Sequence, residues 1–303
     1  MKFNLGTFNA ENFFLRYKFD KNVDPQKFVD GDGRITDMGA SVAFDPISEQ
    51  QRKNTAQVIL ANDPDAICLQ EIENITTLKL FNKKYLKAKY RYAMLIDADD
   101  PRQIDVGILS KYEIAPVRTH MFDKDKNGLI FSRDCLEATL LGNKGDPLVT
   151  VFVNHLKSKA MGTAAATGVK RLRQATRVAE ITKERYGDGI EEARFVQVGD
   201  YNDTPDSPYL APLMNPAWAE NVIDRLPKDE RWTYAMSKNK KEQIDYILLS
   251  KALADANTDA EPLIERRGLR DKVTAYAGPR FPDVGPDGTE ASDHCAVFIG
   301  LDL

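Results

Sequence analysis

The chain has 303 residues, of which 42% are hydrophobic, so it can bury a sizeable core and is not an intrinsically disordered protein. It carries 42 Lys and Arg against 46 Asp and Glu, and this formal net charge of -4 excludes a protein coated with positive charge for nucleic-acid binding. An acidic balance still permits an enzyme that acts on phosphate groups, because a local basic groove or a bound cation can attract them.

Nine short apolar runs recur along the chain. They are typical of β-strands, because they are rich in β-branched or aromatic residues and are bounded by Gly, Pro, Asn or Asp. In chain order these runs begin at Phe3, Ala66, Tyr90, Ile104, Cys135, Leu148, Arg194, Ile244 and Cys295.

Helical periodicity appears in three stretches, which begin at Ser48, Ile75 and Val169. Ser48 is a candidate N-cap for the first of them. The third stretch has the clearest amphipathic pattern, and Gly187 is expected to end it. Its apolar stripe consists of Leu172, Ala175, Val178, Ala179 and Ile181.

Many strands separated by a few helices favour two sheets packed face to face, with helices outside. Nothing in the composition divides the chain, so we expect one domain over residues 1–303, with an irregular insertion at about 15–50. Within that insertion the run DGDGR lacks the ligand order of a calcium-binding EF-hand, and a surface loop is the simpler interpretation. Cys68, Cys135 and Cys295 match no zinc or disulfide pattern and are expected to be buried.

No stretch resembles a secretory leader or reaches the length of a membrane span. We therefore expect no transmembrane segment, and a protein that is cytoplasmic, or secreted or periplasmic if a leader has been removed. Nothing in the sequence calls for an obligate protein partner.

Acidic, amide and imidazole residues stand at the ends of several apolar runs. Any one of them is explained as a turn or cap residue. As a set they are expected to meet, because strand ends of packed sheets lie at a common rim, and two of the chain's three histidines are among them. The set comprises Asn9, Glu71, His155, Asp200, Asn202, Asp245, Asp293 and His294.

These residue types together indicate metal-dependent hydrolysis. Carboxylate and amide oxygens suit Mg²⁺ or Mn²⁺, and can also accept Ca²⁺, whereas zinc prefers His and Cys. Histidines beside acids provide general acid and base groups. We therefore predict a site that hydrolyses a phosphate ester by in-line attack of an activated water.

Six segments also resemble, in order, the motifs of the endonuclease/exonuclease/phosphatase superfamily, which includes deoxyribonuclease I, abasic-site endonucleases, neutral sphingomyelinases and inositol polyphosphate 5-phosphatases. They are TFNAENFF, DAICLQEIEN, VNHLKSK, VGDYNDTP, QIDYILLS and SDHCAV, and they span Thr7 to Val297. The resemblance implies a four-layered α/β/β/α sandwich of two packed mixed sheets, with helices outside and the catalytic site at one rim.

The same resemblance implies roles for the acidic and amide residues. Glu71 would be the main Mg²⁺ ligand, with Asn9 and Asp293 close to the metal or its waters. Asp200 would polarise the attacking water, and Asn202 would hold the phosphate or orient Asp200.

The histidines and an arginine would handle the phosphate. Asp245 would pair with His294 and make it a stronger base, and His155 would contact the scissile phosphate from the other side. Arg133 looks like the phosphate-binding arginine that several family members place on a strand here, and a guanidinium suits phosphate oxygens.

Four further residues have two interpretations each. Arg102 is placed to reach phosphate and Asp105 to orient His155, but both are also explained as ordinary loop and strand-start residues. Lys157 and Lys159 either face the substrate or are surface lysines.

Three segments look most like the bacterial nuclease-type branch, which predicts cleavage of phosphodiester bonds, most simply in DNA. A phosphatase or phosphodiesterase of small-molecule or lipid phosphates is the alternative. A membrane-acting enzyme would need an exposed apolar hairpin, for which only the segment around Trp218 is a candidate. Trp232 and Tyr234 are candidates for stacking on a base, or are packing residues. A non-catalytic binding module is a third possibility.

Overall fold

The computed structural model describes residues 1–13, 48–160, 162–214, 216–237 and 240–303. The irregular insertion predicted at about 15–50, with its DGDGR run, therefore lies almost entirely outside the described residues. Two six-stranded mixed sheets pack together with helices on their outer faces. This confirms the predicted four-layered α/β/β/α sandwich.

The described residues contain sixteen strands and five α-helices. The strands are β1 (Lys2–Phe13), β2 (Ala66–Ile72), β3 (Tyr92–Leu95), β4 (Asp105–Ser110), β5 (Glu113–Arg118), β6 (Lys124–Asp125), β7 (Gly128–Leu129), β8 (Cys135–Leu141), β9 (Pro147–His155), β10 (Phe195–Asp200), β11 (Ala219–Asn221), β12 (Tyr234–Ser237), β13 (Lys240–Glu242), β14 (Asp245–Ser250), β15 (Leu263–Glu265) and β16 (Ala296–Asp302). The helices are α1 (Glu49–Asn62), α2 (Ile75–Lys84), α3 (Ala164–Tyr186), α4 (Ala211–Met214) and α5 (Lys251–Ala256).

The two sheets have the same pattern of parallel and antiparallel strand pairs. The first has the order β15-β16-β1-β2-β4-β3 and the second the order β11-β14-β10-β9-β8-β5. In each sheet one parallel pair, β1 with β2 or β9 with β10, has an antiparallel strand on both sides. Glu71 lies near the carboxyl end of β2, and His155 and Asp200 are the last residues of β9 and β10.

Alternation along the strands builds three apolar layers, because successive side chains point to opposite faces of a sheet. Leu5 and Val106 of the first sheet meet Val151 of the second in the layer between the sheets. The outer face of the first sheet packs against α1 and α2, and the outer face of the second packs against α3. Burying one such aliphatic side chain stabilises the fold by roughly 1.5–3 kcal/mol.

All three predicted helices are present. At the start of α1 the Ser48 hydroxyl accepts from the Gln51 amide while the Gln51 side chain accepts from the Ser48 amide, a reciprocal cap. Gly187 ends α3 as predicted. The predicted apolar stripe of α3 is wrong at Leu172, which is 36% exposed. The preceding residue, Arg171, is buried instead and forms an ion pair with Asp203.

All nine predicted strands are confirmed. The strands that the sequence patterns missed have six residues or fewer, and the longest of them, β5, is an edge strand interrupted by Pro116. The three cysteines are buried and free, as expected. Trp218 is not exposed on a hairpin but packs against Phe195, with 5.8 Å between ring centroids. Within the described chain, no helix combines the length and the hydrophobicity needed to cross a membrane.

Candidate active site

The strand register brings three predicted site residues into one row. Asp200 at the end of β10 pairs with His155 at the end of β9 on one side and with Asp245 at the start of β14 on the other. Gly199 makes this close approach possible, because its φ is +135° and a Cβ there would lie 1.9 Å from the Asn154 carbonyl oxygen. Only glycine fits between β9 and β10 at this point.

Asp200 lies at the centre of a hydrogen-bond network. Its Oδ2 accepts from Asn9 Nδ2 at 3.0 Å and from Asn202 Nδ2 at 2.9 Å, and its Oδ1 accepts from the Asn202 amide at 2.8 Å. Burial raises the pKa of Asp200 to about 7, although His294 opposes the rise.

Asp200 and Asn202 converge because the chain turns sharply between them. Asn202 has a φ of +55°, so the chain turns back after β10 and the Asn202 side chain folds onto Asp200. Asn202 Nδ2 also donates to the Leu156 carbonyl at 3.1 Å. The turn thereby links the ends of β9 and β10.

His294 is held by Asp245, as predicted. Its Nδ1 lies 3.1 and 3.0 Å from the two Asp245 oxygens, and its Nε2 lies 3.9 Å from both Asp200 Oδ2 and Asp293 Oδ1. Burial by itself lowers the pKa of His294, but the carboxylates of Asp245, Asp293 and Asp200 outweigh it and hold the pKa well above its usual value. These carboxylates therefore favour the imidazolium form of His294.

His155 has the opposite electrostatic environment. Its Nε2 lies 3.4 Å from Asp200 Oδ2 and 3.8 Å from Glu71 Oε1, at the same rim. Burial, followed by the charges of Arg133 and His294, lowers the pKa of His155 well below its usual value. This environment favours the neutral form of His155, so the pKa values of the two histidines are shifted in opposite directions.

Glu71 and Asn9 present oxygen atoms at the same rim. The Asn12 amide fixes Glu71 Oε2 at 2.8 Å, and the Glu11 amide fixes Asn9 Oδ1 at 3.0 Å. Asp293 is placed beside them, because its amide donates to Glu11 Oε2 at 2.9 Å. Carboxylate and amide oxygens held in this way fit a hard cation such as Mg²⁺ or Mn²⁺.

One group of acidic and imidazole side chains in the described chain has metal-ligand spacing. Ligand atoms of Asp200, Asp245 and His294 all lie within 4.8 Å of one another. Both Asp245 oxygens, however, already contact His294 Nδ1. This group is better explained as a hydrogen-bonded chain than as the ligands of an ion.

Arg133 and Arg102 lie beside the rim, around Asp100. Arg133 is buried, its Nε lies 3.0 Å from Asp100 Oδ2, and its Nη1 donates to the Leu156 carbonyl at 3.2 Å. The Arg102 amide donates to Asp100 Oδ1 at 2.9 Å. The Arg102 Nε also lies 3.7 Å from Asp100 Oδ1, so both guanidinium groups face one buried acid next to the site.

The predicted contact between Asp105 and His155 is not formed. Asp105 Oδ1 accepts from the Ala98 amide at 3.0 Å, and His155 Nδ1 has no hydrogen-bond partner among the described residues. Asp105 is the first residue of β4, so its side chain is used to hold the preceding loop. Of its two interpretations, the strand-start residue fits this geometry.

Sequence reasoning missed several supporting residues. Glu11 and Asn12 follow Asn9 directly and have positive φ values, which turn their amides toward the site. Arg171 of α3 is buried, and its Nε and Nη2 lie 2.9 and 2.8 Å from Asp203 Oδ2. Asp203 also accepts from the Thr204 amide, so it stabilises the turn after β10 and binds α3 as well. In the sequence, the only sign of this Arg171–Asp203 ion pair is that Arg171 adjoins the apolar stripe of α3.

The two candidate stacking aromatics are placed differently. Trp232 is buried, with the Arg266 guanidinium 4.2 Å from its ring centroid, so it is a packing residue. Tyr234 is half-buried and its ring centroid lies 5.1 Å from that of His294. Tyr234 therefore contacts the imidazolium directly.

The sequence profile of the Endonuclease/Exonuclease/phosphatase family matches residues 6–294. The chain therefore belongs to this family, whose members are hydrolases of phosphate esters that generally use divalent metals. A sequence search of the curated proteins finds no match.

Solved structures share the fold at low identity. Beta toxin from Staphylococcus aureus is 15% identical over 98% of this chain and 99% of that one, with a TM-score of 0.63. The human Nocturnin catalytic domain, solved with a bound sulfate anion, is 12% identical over 99% and 94%, with a TM-score of 0.62. D. rerio TDP2 complexed with a single-strand DNA product is 17% identical over 100% and 99%, with a TM-score of 0.57. These likenesses establish the fold.

Proposed function

We propose that the protein is a divalent-metal-dependent phosphodiesterase, and specifically a nuclease that hydrolyses DNA phosphodiester bonds. The observation that carries the proposal is the meeting of Glu71, Asp200 and the two histidines at one rim, with His155 Nε2 3.8 and 3.4 Å from the two carboxylates. These four residues offer a metal ligand, a general base and two phosphate contacts, close enough together to act on one substrate.

Glu71 and Asn9 would hold Mg²⁺ or Mn²⁺, with Asp293 close to the ion's waters. When bound, the ion would neutralise charge on the phosphoryl oxygens. Ca²⁺ accepts the same oxygen ligands and is a further candidate occupant.

Asp200 is the proposed base. Donors from Asn9 and Asn202 hold its carboxylate in one orientation, so that an oxygen faces the position of an attacking water. A carboxylate with a pKa near neutrality takes a proton effectively at neutral pH.

The histidines would bind the phosphate from two sides. His294, kept protonated by Asp245, donates from Nε2 and stabilises the negative charge that develops on a phosphoryl oxygen. His155 is neutral and contributes a hydrogen bond from Nε2. When two residues of the same type have environments that shift their pKa values apart, they typically play different roles in catalysis.

DNA is proposed as the substrate for two reasons. The segments around Asn9, His155 and Asp200 look like the bacterial nuclease-type branch. D. rerio TDP2, which shares the fold, was solved with a single-strand DNA product.

The test is hydrolysis of bis-p-nitrophenyl phosphate and of a panel of supercoiled DNA, abasic DNA, RNA, inositol phosphates and sphingomyelin, each with Mg²⁺ and with EDTA. Glu71→Ala and His294→Ala should each lower kcat/KM at least about 100-fold, because they remove the main proposed ligand and the charged phosphate contact. His120→Ala is the matched histidine control, since His120 lies outside the site against Glu137.

Near-parental rates in both site variants would refute the assignment. Mg²⁺-dependent turnover of inositol phosphates or sphingomyelin but not of DNA would identify the alternative substrate class. Absence of turnover on every phosphate ester would identify a non-catalytic module.

A further inference from the structure

A pocket of about 420 Å³ opens beside the catalytic rim. It is lined by the loop that follows β9, the segment before β8, the loop before β4 and the N-terminal half of α3. Its cationic side chains are Arg102, Arg133, Lys157, Lys170 and Arg173.

The pocket adjoins the catalytic residues through one peptide group. The Leu156 carbonyl accepts from Arg133 Nη1 at 3.2 Å and from Asn202 Nδ2 at 3.1 Å. Leu156 follows His155, and Lys157 and Ser158 continue into the pocket lining. A group bound here therefore lies next to the proposed scissile phosphate.

Two of the five cations lack a carboxylate partner in the described chain. Arg133 and Arg102 face Asp100, and Arg173 makes a two-point ion pair with Asp125. The Lys157 Nζ bonds only to uncharged oxygens, at 3.3 Å from Ser158 Oγ and 2.8 Å from the Ala160 carbonyl. Lys170 is exposed and forms no ion pair with a described residue.

The surroundings of Lys157 confirm an excess of positive charge. Burial, followed by the charges of Arg133, Lys170, Arg102 and Arg171, lowers the pKa of the Lys157 ammonium. Although Asp99 and Asp100 also line the pocket, the charges that act most strongly on Lys157 are all positive. An anion between the two lysines relieves this repulsion.

Part of the pocket lining is apolar. It includes Leu129, which is 43% exposed, and the buried Phe131. Arg173 of α3 anchors the β6–β7 hairpin that carries Leu129, through Asp125 and the Gly128 carbonyl at 3.2 Å. A pocket lined by both apolar and cationic side chains suits a nucleotide, whose sugar and base are less polar than its phosphate.

We infer that this pocket binds the nucleotide next to the scissile bond, with Lys157 and Lys170 recognising its non-scissile phosphate. The inference rests on the proposed function and narrows it, because it selects a phosphodiester strand over an isolated diester as the preferred substrate.

The experiment compares kcat/KM for a thymidine dinucleotide, which has one phosphodiester, with kcat/KM for a trinucleotide, which has a second phosphate. The parental protein should prefer the trinucleotide at least tenfold. The double variant Lys157→Met/Lys170→Met should lose that preference, whereas Lys183→Met, near the far end of the same helix, should keep it. Circular dichroism establishes that each variant folds.

Persistence of the preference in the double variant would overturn the inference, as would an equal loss on both substrates. Dinucleotide turnover by the parental protein without trinucleotide preference would overturn it alone and leave the proposed function standing. Lack of turnover of either oligonucleotide or of bis-p-nitrophenyl phosphate would remove the proposed function and the inference with it.

Discussion

At the scale of single residues, Asp105 is a buried carboxyl whose ionisation opposes folding. Burial raises its pKa to about 7, despite the hydrogen bond from the Ala98 amide. The folded state therefore binds this proton more tightly than the unfolded state, in which the pKa is about 3.9. Stability from this group is present at low pH and is lost as the pH rises through 7.

Asp105→Asn keeps the acceptor for the Ala98 amide and removes the ionisation. Between pH 5 and pH 8 the parental protein should lose about 2 kcal/mol of unfolding free energy relative to this variant. Urea denaturation of both proteins at the two pH values measures the difference, and the titration of all other groups cancels. A difference that stays constant over this interval would contradict the raised pKa.

Sequence patterns predicted some of the site residues and their contacts but not others. His155, Asp200 and Asp245 were predictable together because they stand at strand ends, and strand ends share a rim. Asn9 lies inside β1 instead, where the regular pairing of β1 with β2 breaks. The turn at Asn202 was not predictable, since its positive φ depends on contacts that form only after β9 and β10 pair. The expected Asp105–His155 contact failed because a nearer backbone amide takes the carboxylate.

Among the secondary-structure elements, α3 positions the loop that follows β9 and lines the pocket beside the catalytic rim. Arg171 joins Asp203, in the turn after β10, to the Lys157 carbonyl, to which its Nη1 donates at 3.0 Å. The hydrophobic periodicity placed Leu172 on the buried face of α3. The residue that is buried there is Arg171, which pairs with the carboxylate of Asp203. A buried ion pair is invisible to a hydrophobic pattern, since both partners count as surface residues.

Arg171→Met should leave the buried Asp203 with only the half-exposed Lys159, 3.4 Å away, as a charge partner, and should destabilise the protein by about 3 kcal/mol. Leu172→Met, at the exposed neighbouring position, is the matched control and should change stability by less than about 0.5 kcal/mol. Thermal denaturation measures both. Adding Asp203→Asn to Arg171→Met should recover part of the loss, and the lack of any recovery would exclude an unpaired charge as its cause.

At the scale of the whole molecule, the strand-rich pattern with few helices was enough to predict the layers. It did not give the strand order, because the pairing of β16 with β1 joins residues nearly 300 positions apart. It also missed β6, β7 and β13, which have two or three residues each and too little sequence for periodicity. Long-range pairing is set by the whole core rather than by any local segment.

That core supports the proposal that the chain is one domain, because the layer between the sheets belongs to both. Val106 of β4 and Val151 of β9 are buried in it from opposite sides. Val106→Ala and Val151→Ala each delete two methyl groups and should each destabilise the protein by about 2 kcal/mol. Because neither sheet can keep its inner face covered alone, both substitutions should lower the midpoint of the same unfolding transition.

Differential scanning calorimetry of the parental protein and the two variants measures this coupling. A single transition is expected, with equal calorimetric and van't Hoff enthalpies. Val169→Ala is the control, because Val169 is 54% exposed on α3 and its loss should not move the midpoint. Two transitions, each shifted by only one of the core substitutions, would instead show that the sheets unfold as separate units and that the shared layer does not couple them.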